Sequence, residues 1–123
     1  MTENEIAKIV VDSAFRIHKT LGPGLFESVY EEILSYDLNK RGLKIERQKL
    51  IGVVYEDIKL DLGFKADIIV NDKLIIEIKS VETISYVHQK QLLTYLRLTN
   101  LKLGLLINFN VAFIKDGIQR VIN

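Results

Sequence analysis

The 123-residue chain is predicted to fold as an α/β sandwich, with helices packed against a mixed sheet. Three observations predict it. The length suits one domain and is too short for two. Helical and strand-like patterns alternate in the order helix, helix, strands, helix, strands. The segments "ADIIV" and "KLIIEIK" are apolar on both sides, as central strands covered on both faces must be.

Each element follows from its residues. Residues 4 to 20 set Ile6, Ile9, Val10, Ala14, Ile17 and Leu21 at helical spacing, so a first helix is expected, ending at the Gly22, Pro23, Gly24 break. A second helix is expected from Leu25 to Lys40, with Phe26, Val29, Tyr30, Ile33 and Leu34 on its apolar side and Gly42 ending it in a left-handed conformation. From Lys44 onward β-branched runs separated by turn residues predict several strands in a meander. Within them Ile58, Leu60, Leu62 and Phe64 alternate with Lys59, Asp61, Gly63 and Lys65, which predicts a strand with one wet face. A third helix is expected over Ser85 to Thr99, then "LGLLINF" as a buried strand, and "VAFIKDGIQRVI" as a closing hairpin around Asp116 and Gly117.

Composition narrows the function. A content of 48% hydrophobic and 27% charged residues is that of a globular protein, and no apolar run suits a bilayer span. The N-terminus lacks the pattern of a secretory signal and the chain has no cysteine, so a cytoplasmic protein without disulfides or thiolate metal sites is expected. A net charge of +1 argues against coating nucleic acid by bulk electrostatics. One basic cluster, Lys40, Arg41, Lys44, Arg47 and Lys49, is either a solvated helix end or a grip on phosphates.

The chemistry gathers on the two central strands. Asp67, Glu77 and Lys79 are their polar residues, and an unpaired buried charge there would cost several kcal/mol. Glu77 and Lys79 share one face; Leu74, Ile76 and Ile78 share the other. A three-residue loop at Asn71, Asp72 and Lys73 would set Val70 against Leu74 and Asp67 against Glu77, whereas a two-residue turn would set Asp67 against Ile76. Two converging carboxylates suit a hard divalent cation such as Mg²⁺, and a nearby lysine completes a hydrolytic site. The competing reading is an internal salt-bridged cluster. A similar Asp57, Ile58, Lys59 run needs no metal, because both charges can face water. On the third helix His88, Gln91 and Tyr95 form one polar stripe among Ile84, Leu92, Leu96 and Leu98, and the stripe is expected to face inward.

Asp67, Glu77-Ile78-Lys79 and Gln91-Leu-Leu-Thr-Tyr95 together resemble the PD-(D/E)xK nuclease superfamily, and the Gln-x-x-x-Tyr element is similar to its RecB-like exonuclease branch. The closest resemblance is to a small family named for a Gly-x-x-Glu-x-x-Tyr motif, present here as Gly24-Leu-Phe-Glu27-Ser-Val-Tyr30. The likeness runs through "HKTLGPGLFESVYEE", "LGFKADIIV", "LIIEIKSVE", "HQKQLLTYL" and "LGLLINF" in family order. It implies a restriction-endonuclease-like core in the order ααβββαββ and a Mg²⁺- or Mn²⁺-dependent nuclease acting on nucleic acid, DNA above all. By the same resemblance Asp67, Glu77 and the main-chain carbonyl of Ile78 are metal ligands, and Lys79 is the base or water-orienting group. Glu27 contributes from the second helix, while Gln91 and Tyr95 brace the site or contact the backbone. Ala66 departs from the proline of the superfamily name; every charged position of the motif is present.

Glu27 has a local explanation too. If Gly24 caps the second helix, Glu27 is its third residue, where the helix dipole favours an acid by about 0.3 to 1 kcal/mol. It also aligns with Leu34 and Leu38 at the border of the buried face, so it is expected within water-bridged reach of Asp67 and Glu77, or, if it points to bulk solvent, to be only a helix starter. His18 is either a histidine suited to a helix C-terminus or a further metal ligand, and His88 a ligand, a phosphate contact or a buried donor. Beside the nuclease stand two other readings, a non-cleaving nucleic-acid-binding or accessory protein and a purely structural ion cluster. A homodimer is a further possibility for so small a chain, and no membrane partner is expected.

Overall fold

Thr2 and Glu5 begin the first helix by bonding each other's main-chain amides at 3.2 Å, which satisfies two donors that a helix start leaves open. In the computed structural model, which describes residues 1–123, this helix is α1 (Glu3–Leu21) and is followed by α2 (Glu27–Lys40). Three strands come next, β1 (Ile45–Tyr55), β2 (Ile58–Val70) and β3 (Leu74–Lys79), then α3 (Tyr86–Thr99), β4 (Leu103–Asn108), a 3₁₀ turn at Ile114–Gly117, and β5 (Ile118–Ile122). The order of elements is the expected one. Gly42 takes the left-handed φ of +83° that closes α2, a conformation in which a side chain would be strained.

The five strands form one sheet in the order β1-β2-β3-β4-β5. Only β3 and β4 run parallel, joined through α3; the other neighbours are antiparallel. The sheet is the middle of three layers. On one side α1 and α2 bury Ile6, Val10, Tyr30, Leu34 and Leu38 against Ile68, Leu74, Ile76 and Leu105. On the other, Leu92 and Leu96 of α3 bury Ile69, Ile75 and Leu106. Burying each such side chain contributes about 1.5 to 3 kcal/mol, so the helices are held by their apolar stripes more than by propensity.

The β2–β3 turn uses three residues, with Asn71 and Asp72 both left-handed and Val70 facing Leu74, as the odd-numbered loop requires. The structure departs from expectation elsewhere. Helix α2 starts at Glu27, not Leu25, and Phe26 is 82% exposed because it precedes the first turn. Leu21 is also exposed, at the last residue of α1. The strand with one wet face is wet on both sides: Ile58, Leu60 and Leu62 are exposed, and only Phe64 is buried. Up to Ala66, β2 pairs with β1 alone, and its first residues, Ile58 to Leu62, run out beyond the covering helices as a two-stranded ribbon. The last segment is no simple hairpin, since the 3₁₀ turn intervenes before β5 returns along β4.

Candidate active site

The strands β2 and β3 part where the acids lie. Their regular pairing ends at Ile68 and Ile76; one step further on, side chains take over from the backbone. The Asp67 amide donates to Glu77 Oε2 at 3.2 Å, and the Ile78 amide donates to Asp67 Oδ2 at 2.9 Å. The alternation of β2 also slips at this residue. Phe64, Ala66 and Ile69 face α3, whereas Ile68 and Val70 face α1 and α2. Asp67 therefore sits in the widened seam between two strands, with one carboxylate oxygen held by the Ile78 amide.

Glu77 is 6% exposed. Its carboxyl is pushed up to about 9, chiefly by burial, then by the hydrogen bond and charge of Asp67, with the Lys79 ammonium pulling weakly the other way. One acid of the pair is thus held protonated in the protein alone, as for any two carboxylates sharing one dry site. The Tyr95 hydroxyl is raised by burial and by the Glu77 and Asp67 carboxylates, so it stays a proton donor facing the pair. Its ring stacks on Phe64 at 3.7 Å between centroids. Lys79, two residues beyond Glu77 on the same face, is half-buried and makes no ion pair. Ile78 is buried between them in the chain and gives its amide to Asp67.

Glu27 is tied to the same strand end by another route. Its Oε2 accepts from the Ser80 amide at 3.1 Å, and the Ser80 hydroxyl donates to Leu25 O at 2.7 Å. Gly22 and Gly24 turn the chain with φ of +73° and +100°, and Tyr30 closes that turn: its hydroxyl donates to Gly22 O at 2.6 Å and accepts from the Leu25 amide at 3.2 Å. The Gly24, Glu27, Tyr30 motif is thus a clasp between the helix turn and the end of β3. No three acidic or histidine side chains converge into one cluster, so Glu27 does not join Asp67 and Glu77; its bond is to the Ser80 amide.

The other candidates scatter. Gln91 is exposed while Tyr95 packs beside Leu92 and Leu96 against Phe64, so the polar stripe turns inward at Tyr95 and not at Gln91; at fourteen residues the helix buries two leucines and leaves one flank wet. His88 accepts from the Ser85 amide at 3.2 Å and closes the start of α3. His18 bonds Val111 O at 2.8 Å and lines a surface cavity of about 680 Å³ between α1 and the 3₁₀ turn, outside the acid pair. The basic cluster is spent on internal partners. Arg41 bonds Asp12 at 2.8 Å, Lys44 bonds Asp72 at 2.9 Å, and Lys49 bonds Glu46 at 3.0 Å. Arg47 holds Glu31 at 3.0 Å and Glu32 at 2.6 Å, and Lys40 lies over the Tyr36 ring.

Two residues that the sequence reading passed over stand beside Asp67. Gln48 donates to Glu31 Oε1 at 2.6 Å and to Asp67 Oδ1 at 3.2 Å, and it does so from a left-handed φ of +49° inside β1. Such a conformation costs on the order of 1 to 3 kcal/mol and persists where its surroundings require it. Glu31 is buried on α2 between Gln48 and Arg47, so a polar chain runs from the helix to the acid. Glu31 had a legible signal, since it shares a stripe with Leu34 and Leu38; Gln48 had none.

A three-layer α/β domain whose central strands part around an acid pair, with a lysine two residues on, defines a restriction-endonuclease-like core. The sequence model of the PD-(D/E)XK nuclease superfamily matches residues 4–121, and the chain belongs to that superfamily. No curated protein and no solved structure matches it. Nucleases of this superfamily generally use divalent metals. The donor set here fits one, for it offers two adjacent carboxylates, one of them kept protonated chiefly by burial and then by its acidic neighbour.

Proposed function

We propose that this chain is a Mg²⁺-dependent nuclease that hydrolyses phosphodiester bonds in DNA, with Mn²⁺ able to replace Mg²⁺. The observation that carries the reading is the pair of bonds across the parted strands, from the Asp67 amide to the Glu77 carboxyl and from the Ile78 amide to the Asp67 carboxylate, with the unpaired Lys79 two residues beyond Glu77. Asp67, Glu77 and the Ile78 carbonyl would hold the ion. When bound, it supplies Lewis acidity toward a phosphate oxygen.

The remaining work falls to the chain itself. Lys79 places a mobile positive donor where negative charge develops on the phosphate. Tyr95, held protonated, offers a hydroxyl donor on the α3 side of the acids. Glu27 fixes the strand end that carries Lys79, and Gln48 and Ile78 orient the two oxygens of Asp67. The clasp at Gly24, Glu27 and Tyr30 supports placing the chain in the family named for that motif. With Arg41, Lys44, Arg47 and Lys49 of the basic cluster each paired to an acid of the chain, phosphate binding rests chiefly on the site itself, which favours the cutting reading over a binding module. A homodimer is the working unit of this proposal, because one small domain offers little surface to hold a duplex.

The test is cleavage of single- and double-stranded DNA and RNA, linear and circular, by purified protein with Mg²⁺ or Mn²⁺. DNA cleavage that chelator stops and Lys79→Ala abolishes, with the fold intact by circular dichroism, is the expected result. Failure to cut any of these substrates with either ion would overturn it.

A further inference from the structure

The ribbon formed by β1 and the first half of β2 has an open edge. Residues Ile58 to Ala66 pair with β1 on one side and with nothing on the other, because β3 joins only at Ile68. Ile58 is 59% exposed, Leu60 56% and Leu62 65%, with Val54 and Tyr55 also in solvent. A lone two-stranded ribbon is marginal in water, and a free apolar edge invites another strand.

The sequence of that edge reads Ile58-Lys59-Leu60-Asp61-Leu62. Laid antiparallel against a second copy of itself about Leu60, it sets Ile58 against Leu62 and Lys59 against Asp61, with Leu60 on the two-fold axis. Apolar side chains then meet apolar ones, and each charge meets its opposite, twice over. The whole ribbon is balanced as well: Lys49, Lys59 and Lys65 stand against Glu56, Asp57 and Asp61. That balance suits a second copy and disfavours a polyanion. The register shift between Ile51 and Val53 lies on the side facing β1, away from this edge.

We propose that the chain forms a two-fold homodimer by antiparallel pairing of Ile58–Leu62 with its equivalent in a second copy, joining the two ribbons into one four-stranded sheet. Main-chain hydrogen bonds supply affinity and the Lys59–Asp61 pairs fix the register. Tyr55 and Val54 on the same ribbon extend the buried area toward the roughly 1,000 Å² that a stable interface needs. The inference rests on the homodimer part of the reading above and not on its catalytic part.

Sedimentation of the full chain, with circular dichroism of each variant as the check on folding, tests it. The wild type is expected as a dimer. Lys59→Asp alone and Asp61→Lys alone each put like charges together at two places and should weaken the dimer by about a hundredfold. The double variant with Lys59→Asp and Asp61→Lys restores both pairs and should restore the dimer. Because the chain has no cysteine, Leu60→Cys should also join two copies by a disulfide under mild oxidation. A monomeric wild type, a dimer indifferent to the single reversals, or a double variant as weak as the singles would each overturn the proposal. A monomer whose ribbon instead binds DNA would also overturn it, and none of these outcomes touches the nuclease assay.

Discussion

The pH dependence of stability in metal-free protein should trace to Glu77, and replacing Glu77 with glutamine should remove it. In the fold its carboxyl rises from an ordinary 4.5 to about 9. A carboxyl raised in the folded state contributes stability that is fully present below its unfolded value and lost as pH climbs toward the folded one. At about 1.4 kcal/mol per unit, the loss between 4.5 and pH 7 comes to about 3 kcal/mol, a large part of a small domain's margin. Glu77→Gln keeps an acceptor for the Asp67 amide and a donor toward the Asp67 carboxylate, but cannot ionise. Urea denaturation with chelator should therefore show the wild type weakening from pH 5 to pH 7 while the variant stays nearly level. Parallel curves for the two proteins would refute the reasoning, because the slope would then belong to other groups.

Further outcomes follow from the same geometry. Mg²⁺ should raise the wild-type melting temperature more at pH 8 than at pH 5, where proton and ion compete for the acids, and should not raise that of Glu77→Gln. Gln48→Ala leaves the Glu31 oxygen without that donor and frees one side of Asp67, at a cost of about 1 to 3 kcal/mol by denaturant unfolding. Tyr30→Phe removes both bonds of the hydroxyl across the glycine turn and should cost about 1 to 2 kcal/mol, with faster amide exchange at Leu25. Tyr95→Ala breaks the stack on Phe64 and should destabilise by about 2 to 4 kcal/mol, measured in the same way.

The sequence made the sheet's centre and the register of its acids legible, because period-two patterning and a three-residue turn leave few alternatives at Val70 and Leu74. The helices were legible for the same reason, apart from their ends. What stayed hidden depends on long-range partners. That Lys44, Arg47 and Lys49 pair with Asp72, Glu31 and Glu46 depends on acids whose positions no local pattern reveals. Gln91 shares a stripe with Tyr95, yet only the packing of Leu92 and Leu96 decides which flank of α3 is covered. The exposed Leu60 and Leu62 mimic a core face, since alternation marks which residues share a side without showing what lies opposite.

The clasp around Ser80 bears on the cost of ordering a reactive group. Past Lys79 the chain is pinned at once, by Glu27 and Leu25 at Ser80 and by Asn108 at Val81, whose amide donates to Asn108 Oδ1 and whose carbonyl accepts from Asn108 Nδ2. Before it, the Ile78 amide is held by Asp67. Freezing a loose backbone residue would forfeit about 1 to 2 kcal/mol each time a substrate arrived; here that loss was taken once, on folding. Only the lysine stem remains to be stilled. On the nuclease reading proposed above, a motif whose tyrosine lies forty-nine residues upstream would thereby set how much of the binding free energy is left for the scissile bond.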